Sequence, residues 1–144
     1  EMIKKELVDV TKFHNAFKIK VNENPTVEID NALIELRYRL MQEENSEYLE
    51  AAKNKDLIEV ADALGDMLYI LCGTILTHGL QYKIEEVFNE IQRSNMSKLG
   101  KDGNPIYRND GKVMKGPNYF KPDIYKILKW FLKYFISPIK SIFR

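Results

Sequence analysis

The chain has 144 residues, of which 44% are hydrophobic and 30% are charged, which excludes a disordered or low-complexity chain. Seven glycines and five prolines are too few for an all-β protein built from many turns, and the single cysteine excludes an internal disulfide and a cysteine-based zinc site. The net charge of +1 hides an acidic stretch over 1–97 and a basic stretch over 98–144. No apolar signal-peptide core follows Lys4 and Lys5, so we expect a cytoplasmic protein.

Apolar residues recur every three or four positions along most of the chain, which is typical of amphipathic helices. Asp56 is placed to cap the start of the third helix, and Gly79 to end it. That helix is apolar nearly all round over 64–76, so we expect it at the centre of the fold. The segment 98–122 is rich in glycine and proline and is predicted to be a loop with a short hairpin near 109–111. The helices are predicted at about 2–17, 30–52, 56–78, 84–96 and from 123 onward.

These elements predict an all-α fold. We expect an antiparallel helix hairpin that carries carboxylates, within a four- to five-helix bundle completed by oligomerisation. Residues 1–123 are expected to form the helical domain, and residues 124–144 a basic, amphipathic C-terminal helix.

Between Glu43 and Asp66 the chain carries eight acids and only two bases, both near the turn between the second and third predicted helices. At 100° per residue, Glu59, Asp62 and Asp66 fall within an arc of about 60°, and a tight turn would bring this face to that of the preceding helix. A solvated acidic face is the ordinary reading of such a run. Asp62 and Asp66, however, lie beside or inside an apolar run, where a carboxylate needs a partner. Oxygen ligands of this kind suit Mg²⁺ or Mn²⁺.

The carboxylates also carry a resemblance to a known family. Residues 43–47 read E-E-x-x-E, and residues 59–62 read E-x-x-D. This pair resembles the motif of the MazG-like all-α nucleoside triphosphate pyrophosphohydrolases. The segments 13–17, 61–69, 94–100 and 110–117, which include Ser-Asn-Met-Ser-Lys and Gly-Lys-x-x-Lys-Gly-Pro, resemble the phosphoribosyl-ATP-pyrophosphohydrolase-like branch of that superfamily. The resemblance covers about residues 8–123.

The resemblance implies hydrolysis of a nucleoside triphosphate, most plausibly a pyrimidine deoxynucleotide such as dUTP or dCTP, to the monophosphate and pyrophosphate. It implies a homodimer or homotetramer that acts on a small nucleotide rather than on a nucleic acid. The metal ligands would be Glu44, Glu47, Asp62 and either Glu59 or Asp66, since two alignments of the E-x-x-D motif are possible. In one of them Asp66 is the motif aspartate and Ala63 replaces its glutamate. Glu43 is the candidate base for the attacking water.

Two other functions remain open at this stage. One is hydrolysis of phosphoribosyl-ATP, which is the same chemistry on another substrate. The other is a non-catalytic helical module whose acids bind a structural cation.

The glycine-rich loop is the second candidate functional region. Asn95, Lys98, Lys112 and Lys115 are candidates for binding a triphosphate, which carries about four negative charges. The alternative is ordinary solubilising charge. His14 belongs to a Phe-His-x-Ala-Phe pattern of the resembled branch, which makes a nucleotide contact possible, whereas a lone helical histidine more often has a packing role.

The resemblance does not cover the C-terminal segment. Residues 124–144 carry five bases and no acid, and Lys126, Lys129, Lys133 and Lys140 share one helical stripe. Pro138 is expected to end or kink this helix after about Phe135. We expect its apolar face to pack on the domain or on a neighbouring subunit, with an anionic membrane surface as the alternative.

Overall fold

The computed structural model describes residues 3–135, and over this range it contains five α-helices and no strand. The predicted all-α fold is therefore confirmed, and a single bridge between Tyr107 and Val113 stands where the hairpin was predicted. The predictions about Pro138 and Lys140 lie outside the described residues. The helices are α1 Lys4–Ala16, α2 Asn31–Lys53, α3 Leu57–Thr77, α4 Ile84–Met96 and α5 Ile124–Phe135.

The chain divides into two compact units, Glu1–Tyr82 and Lys83–Arg144. The first unit contains α1, α2 and α3, and the second contains α4 and α5. Within the second unit α5 packs against α4. The division expected from the sequence, into a helical domain over 1–123 and a C-terminal helix over 124–144, stays a prediction.

A hairpin of α2 and α3 forms the body of the first unit. Only residues 54–56 connect the two helices, so they run antiparallel. The Asp56 side chain accepts a hydrogen bond from the backbone N–H of Glu59 at 3.1 Å, as its predicted capping role requires. At the other end Gly79 has φ 65° and donates to the Leu76 carbonyl, which confirms the predicted helix stop.

The core of the first unit lies where α1 and α2 pack on the C-terminal half of α3, and His14 of α1 and Arg37 of α2 both approach Gly73 there. Cys72 and Leu76 are fully or nearly fully buried there, as their apolar surroundings predicted. Another side of α3 differs: Leu64, Leu68 and Leu71 are 50%, 44% and 44% exposed. The prediction that all of 64–76 lies at the centre is therefore wrong, because α1 and α2 cover only part of the helix circumference.

Length and composition alone would allow α3 to cross a membrane, with a mean hydropathy of 1.4. The core helix of a folded domain passes the same test. α3 packs on two neighbouring helices and exposes Asp62 and Asp66 on its surface, which is typical of a domain helix rather than of a lipid-facing span.

In the second unit, the loop after α4 is fastened to the end of that helix. The Ser94 hydroxyl donates to the Phe120 carbonyl at 2.8 Å, and the Gly116 N–H donates to the Lys98 carbonyl at 2.8 Å. The Arg93 guanidinium lies 4.2 Å from the centre of the Phe120 ring, a cation–π contact. The long loop therefore has fixed ends although its middle is exposed.

The start of α5 is fixed by two acids. Asp123 accepts a hydrogen bond from the Lys126 N–H at 3.0 Å and so caps the helix. The Asp123 N–H in turn donates to Glu90 of α4 at 2.9 Å. The carboxylate of Glu90 also accepts two hydrogen bonds from Arg93, and these contacts lower the pKa of Glu90 to about 2.

Candidate active site

The face that α2 turns toward α3 carries one carboxylate among its core positions. Leu33, Arg37, Leu40, Glu44 and Ala51 share one side of the helix, at intervals of three, four or seven residues, and all are buried or half-buried. Leu36 and Tyr48, which apolar periodicity alone would also place on a buried stripe of α2, are exposed. Glu44 is therefore held on the core-facing side of α2 by the phase of the helix.

Glu44 has an unsatisfied buried oxygen. Its Oε2 atom is buried and has no hydrogen-bond partner in the described part of the chain. Desolvation raises the pKa of Glu44, and the charges of Glu47, Asp66 and Glu43 raise it further. A buried carboxylate oxygen surrounded by other carboxylates costs free energy unless a cation compensates it.

This arrangement fits a divalent cation in the chemistry of its donors, because the charged groups that act on Glu44 are carboxylates. Glu43 and Glu47 of α2 and Asp66 of α3 are near enough to Glu44 for their charges to act on it. Of the two candidates left open by the motif, Asp66 rather than Glu59 is the one that acts electrostatically on Glu44. Whether either acid binds metal stays a prediction.

The full set of predicted ligands does not converge in the described chain. Among residues 3–135, no three acidic, histidine or cysteine side chains are close enough to hold a metal ion. Glu59 and Asp62 are exposed on α3, and Asp66 is exposed as well. The inference that Asp62 and Asp66 need a partner because of the apolar run is therefore wrong, because these acids and the neighbouring leucines are exposed to solvent. Like charges without a cation repel, which favours such solvent-facing positions.

His14 lies in the core of the first unit. It is 2% exposed, its Nδ1 atom has no hydrogen-bond partner in the described range, and desolvation lowers its pKa, as does the nearby charge of Arg37. A Cβ added to Gly73 of α3 would clash with Arg37 Nη2 and would lie 2.9 Å from His14 Nε2. The structure thus gives His14 the packing role that was its alternative, and the nucleotide contact stays a prediction.

Arg37 is the buried polar residue that the sequence analysis missed. It is 8% exposed, donates from Nη2 to the Ile70 carbonyl at 2.7 Å and from Nε to the Thr74 hydroxyl at 3.0 Å. Burial lowers its pKa. The available signal was its position on the same stripe as Leu33 and Leu40, four and three residues away.

The predicted phosphate-binding residues all belong to the second unit. Asn95, Lys112 and Lys115 are exposed and Lys98 is half-buried, and the Lys115 ammonium lies 4.7 Å from the centre of the Tyr119 ring. Arg108 is paired with Asp110. The role of these residues in substrate binding stays a prediction.

The sequence pattern of phosphoribosyl-ATP pyrophosphohydrolases matches residues 10–95, which is more than half of the chain. The chain belongs to this family. It is a pyrophosphohydrolase, so the resemblance to the phosphoribosyl-ATP-pyrophosphohydrolase-like branch and the expectation of an enzyme are confirmed. The matched range contains every candidate metal ligand.

Among solved structures, the chain is similar to a candidate NTP pyrophosphohydrolase from Exiguobacterium sp. 255-15. The two share 24% sequence identity with a TM-score of 0.46, over 89% of this chain and 94% of that one. No curated protein matches the chain.

Proposed function

We propose that this pyrophosphohydrolase cleaves a nucleoside triphosphate between the α- and β-phosphorus, releasing the monophosphate and pyrophosphate, with Mg²⁺ or Mn²⁺ bound. The observation that carries the proposal is the buried Oε2 atom of Glu44, which lacks a hydrogen-bond partner among the described residues and lies in the field of three other carboxylates, those of Glu43, Glu47 and Asp66. The choice of a pyrimidine deoxynucleotide, dUTP or dCTP, is supported by the resemblance of the motifs.

Glu44, Glu47, Asp62 and either Glu59 or Asp66 would hold the cation. When bound, a divalent cation supplies positive charge to phosphate oxygens and to the charge that develops during the reaction. Glu43 is exposed and directly precedes Glu44 on α2, so its carboxylate is available to accept the proton of the attacking water. Glu44 itself lies on the core-facing side of α2, which suits it to binding the cation.

Phosphoribosyl-ATP is the second candidate substrate, and the family match favours it. Its hydrolysis breaks the same type of bond, between the α- and β-phosphorus. The carboxylates around Glu44 suit both substrates, since they act on the phosphates and not on the base.

The proposal is tested with the full chain, Mg²⁺ and a panel of dUTP, dCTP, purine dNTPs and phosphoribosyl-ATP, with release of pyrophosphate as the readout. Hydrolysis in ¹⁸O-labelled water should place the label in the monophosphate, because the water attacks the α-phosphorus. Preference for phosphoribosyl-ATP would replace the pyrimidine assignment. Label in the pyrophosphate, or no turnover of any member of the panel, would contradict the proposed reaction.

We also propose that the enzyme is a cytoplasmic homodimer or homotetramer. Its support is the leucine stripe of α3, which we define as Leu57, Leu64, Leu68 and Leu71. These four side chains recur at intervals of seven, four and three residues along one side of the helix, and all are exposed. An apolar row of this kind is typical of a surface that a partner helix covers. A second chain would also add carboxylates or lysines that a single chain does not bring together.

A further inference from the structure

The C-terminal segment that contains α5 has no part in the proposed reaction. Residues 124–144 contain five bases and no acid, and thirteen of the twenty-one residues are apolar or aromatic. This composition combines positive charge with a high apolar content, and the segment lies outside the range that matches the family.

The centre of the apolar side of α5 is already occupied. Ile127, Leu128 and Phe131 are half-buried and lie on the side of α5 that packs against α4. Lys83, at the start of α4, approaches the Phe131 ring, with its ammonium 6.0 Å from the ring centre. The apolar face of α5 was expected to pack on the domain. In the described residues, the central part of this face packs against α4.

The remaining face combines lysines with aromatic and apolar side chains. Lys126, Lys129 and Lys133 are exposed and, at 100° per residue, fall within an arc of about 60°. On one side of this arc lie Tyr125 and Leu132, which are 68% and 40% exposed, and on the other lies Trp130, which is 55% exposed. We define these six residues as the outer face of α5.

We propose that the outer face of α5 binds the surface of an anionic lipid bilayer. Lysines close to an anionic membrane are attracted to its headgroups, and their long aliphatic stems let the rest of the side chain lie against apolar surface. Tryptophan and tyrosine are the residues enriched at the boundary between headgroups and acyl chains. The outer face offers both types side by side, and no acid opposes them within 124–144.

Two acids of α4, Glu90 and Glu86, do not cancel this attraction. Glu90 faces Lys126, but its carboxylate is bound by Arg93 and by the Asp123 N–H. Glu86 forms an ion pair with Lys83. Both negative charges are therefore compensated by neighbouring donors of the same unit.

Two other partners fit the outer face less well. A second copy of the chain, related by a two-fold axis, would set the lysines of one copy against those of the other, and like charges at an interface repel. A nucleic acid would satisfy Lys126, Lys129 and Lys133 but would give Leu132 no apolar environment. The bilayer surface suits both kinds of side chain.

The test uses the full chain with neutral phosphatidylcholine vesicles and with mixed phosphatidylcholine–phosphatidylglycerol vesicles. The protein should sediment with the mixed vesicles and stay at background with the neutral ones, and added salt should release it. Trp130 is the only tryptophan of the chain, so its fluorescence reports on this face without a label. We expect the emission to shift to shorter wavelength only with the mixed vesicles.

The variant that replaces Lys126, Lys129 and Lys133 with glutamine should lose at least about a hundredfold in vesicle affinity, because each lysine at an anionic surface contributes roughly a fivefold gain. The matched control replaces three exposed lysines of the first unit, Lys12, Lys20 and Lys53, with glutamine and should bind like the wild type. Pyrophosphohydrolase activity should be unchanged in both. Circular dichroism checks that both variants are folded.

Several results would overturn the proposal. Equal binding to neutral and mixed vesicles, an unchanged Trp130 spectrum with mixed vesicles, or equal losses in the two triple variants would each do so. Binding of the wild type to an oligonucleotide in place of the vesicles would assign the outer face to nucleic acid. If the α5 variant does not fold, the salt dependence and the Trp130 spectrum of the wild-type protein still decide the outcome.

Discussion

Glu44 and its neighbour Glu43 differ by a rotation of 100° about the α2 axis, and this decides their environments. Glu43 is exposed, whereas Glu44 is half-buried with one oxygen unsatisfied within the described chain. Helical phase thus separates a group that can exchange protons with water from one suited to holding a cation.

Replacing Glu44 by glutamine should lower pyrophosphohydrolase activity by at least about a hundredfold, because it removes a charged metal ligand. Glu47→Gln and Asp62→Asn are expected to act in the same direction. Without metal, the thermal stability of Glu44→Gln should hold or rise, since the repulsion from Glu47 and Asp66 is relieved. Pyrophosphate release and thermal unfolding in a chelator measure the two effects.

Glu50→Gln is the matched control for this experiment. Glu50 lies exposed on the same helix, and its replacement should leave activity within a small factor of the wild type. Equal activity of the Glu44, Glu47 and Asp62 variants and this control would place the active site elsewhere.

Gly73 provides a second test at the residue scale. Its replacement by alanine should lower the free energy of unfolding by about 1–3 kcal/mol, because the added methyl group would clash with the Arg37 guanidinium and crowd the His14 ring. Arg37 cannot move aside freely, since it is held by hydrogen bonds to Ile70 and Thr74. Denaturant unfolding measures the change.

Gly65 is the control on the same helix. A Cβ at Gly65 would meet nothing within 4 Å, so Gly65→Ala should raise the free energy of unfolding by about 0.5–1 kcal/mol through helix propensity alone. A Gly73 variant as stable as the Gly65 variant would show that the Arg37 and His14 side chains rearrange at little cost.

At the scale of elements, the turn between α2 and α3 contains a strained position. Lys55 has φ 60°, a left-handed conformation, and its N–H donates to the Ala52 carbonyl at 3.2 Å. Gly79 occupies the equivalent position at the end of α3. The end of α2 therefore has the same left-handed conformation as the end of α3. Lys55 adopts this conformation at a steric cost that a glycine does not have.

Lys55→Gly should raise the free energy of unfolding by about 0.5–1 kcal/mol, because glycine adopts positive φ without steric penalty. The comparison is Lys53→Gly, inside the last turn of α2, which should instead lower it by up to about 1 kcal/mol. Urea titrations of both variants give the sign of each change. Destabilisation by both would mean that the Lys55 side chain stabilises the turn.

For the whole molecule, the exposed leucine stripe of α3 predicts self-association. Replacing Leu64 and Leu68 together by glutamate should reduce the molar mass in solution to that of one chain, because four carboxylates would then face each other across a symmetric interface. Light scattering coupled to size exclusion measures the mass.

Ile58→Glu serves as the control, since Ile58 is also exposed but lies about 100° away from the stripe. This variant should keep the mass of the wild type. A wild-type protein that is itself monomeric would remove the argument for a partner helix on α3.

Local signals in the sequence were sufficient to predict the helices. The helix ends at Asp56 and Gly79 follow from hydrogen bonds between residues a few positions apart, and the apolar periodicity of each helix follows from its own residues. The motif segments were likewise sufficient to predict the family, because a family pattern consists of residue identities at given positions of the chain.

Only the tertiary structure decided which side of each helix is buried. The α2 stripe passes through Arg37 and Glu44 instead of Leu36 and Tyr48, and the leucines of α3 remain exposed. Composition did not reveal this, because a helix of mixed residues can present more than one apolar side, and the choice depends on packing against residues distant in sequence. The same packing leaves α5 with its lysines and Trp130 outward, since α4 covers only the middle of its apolar side.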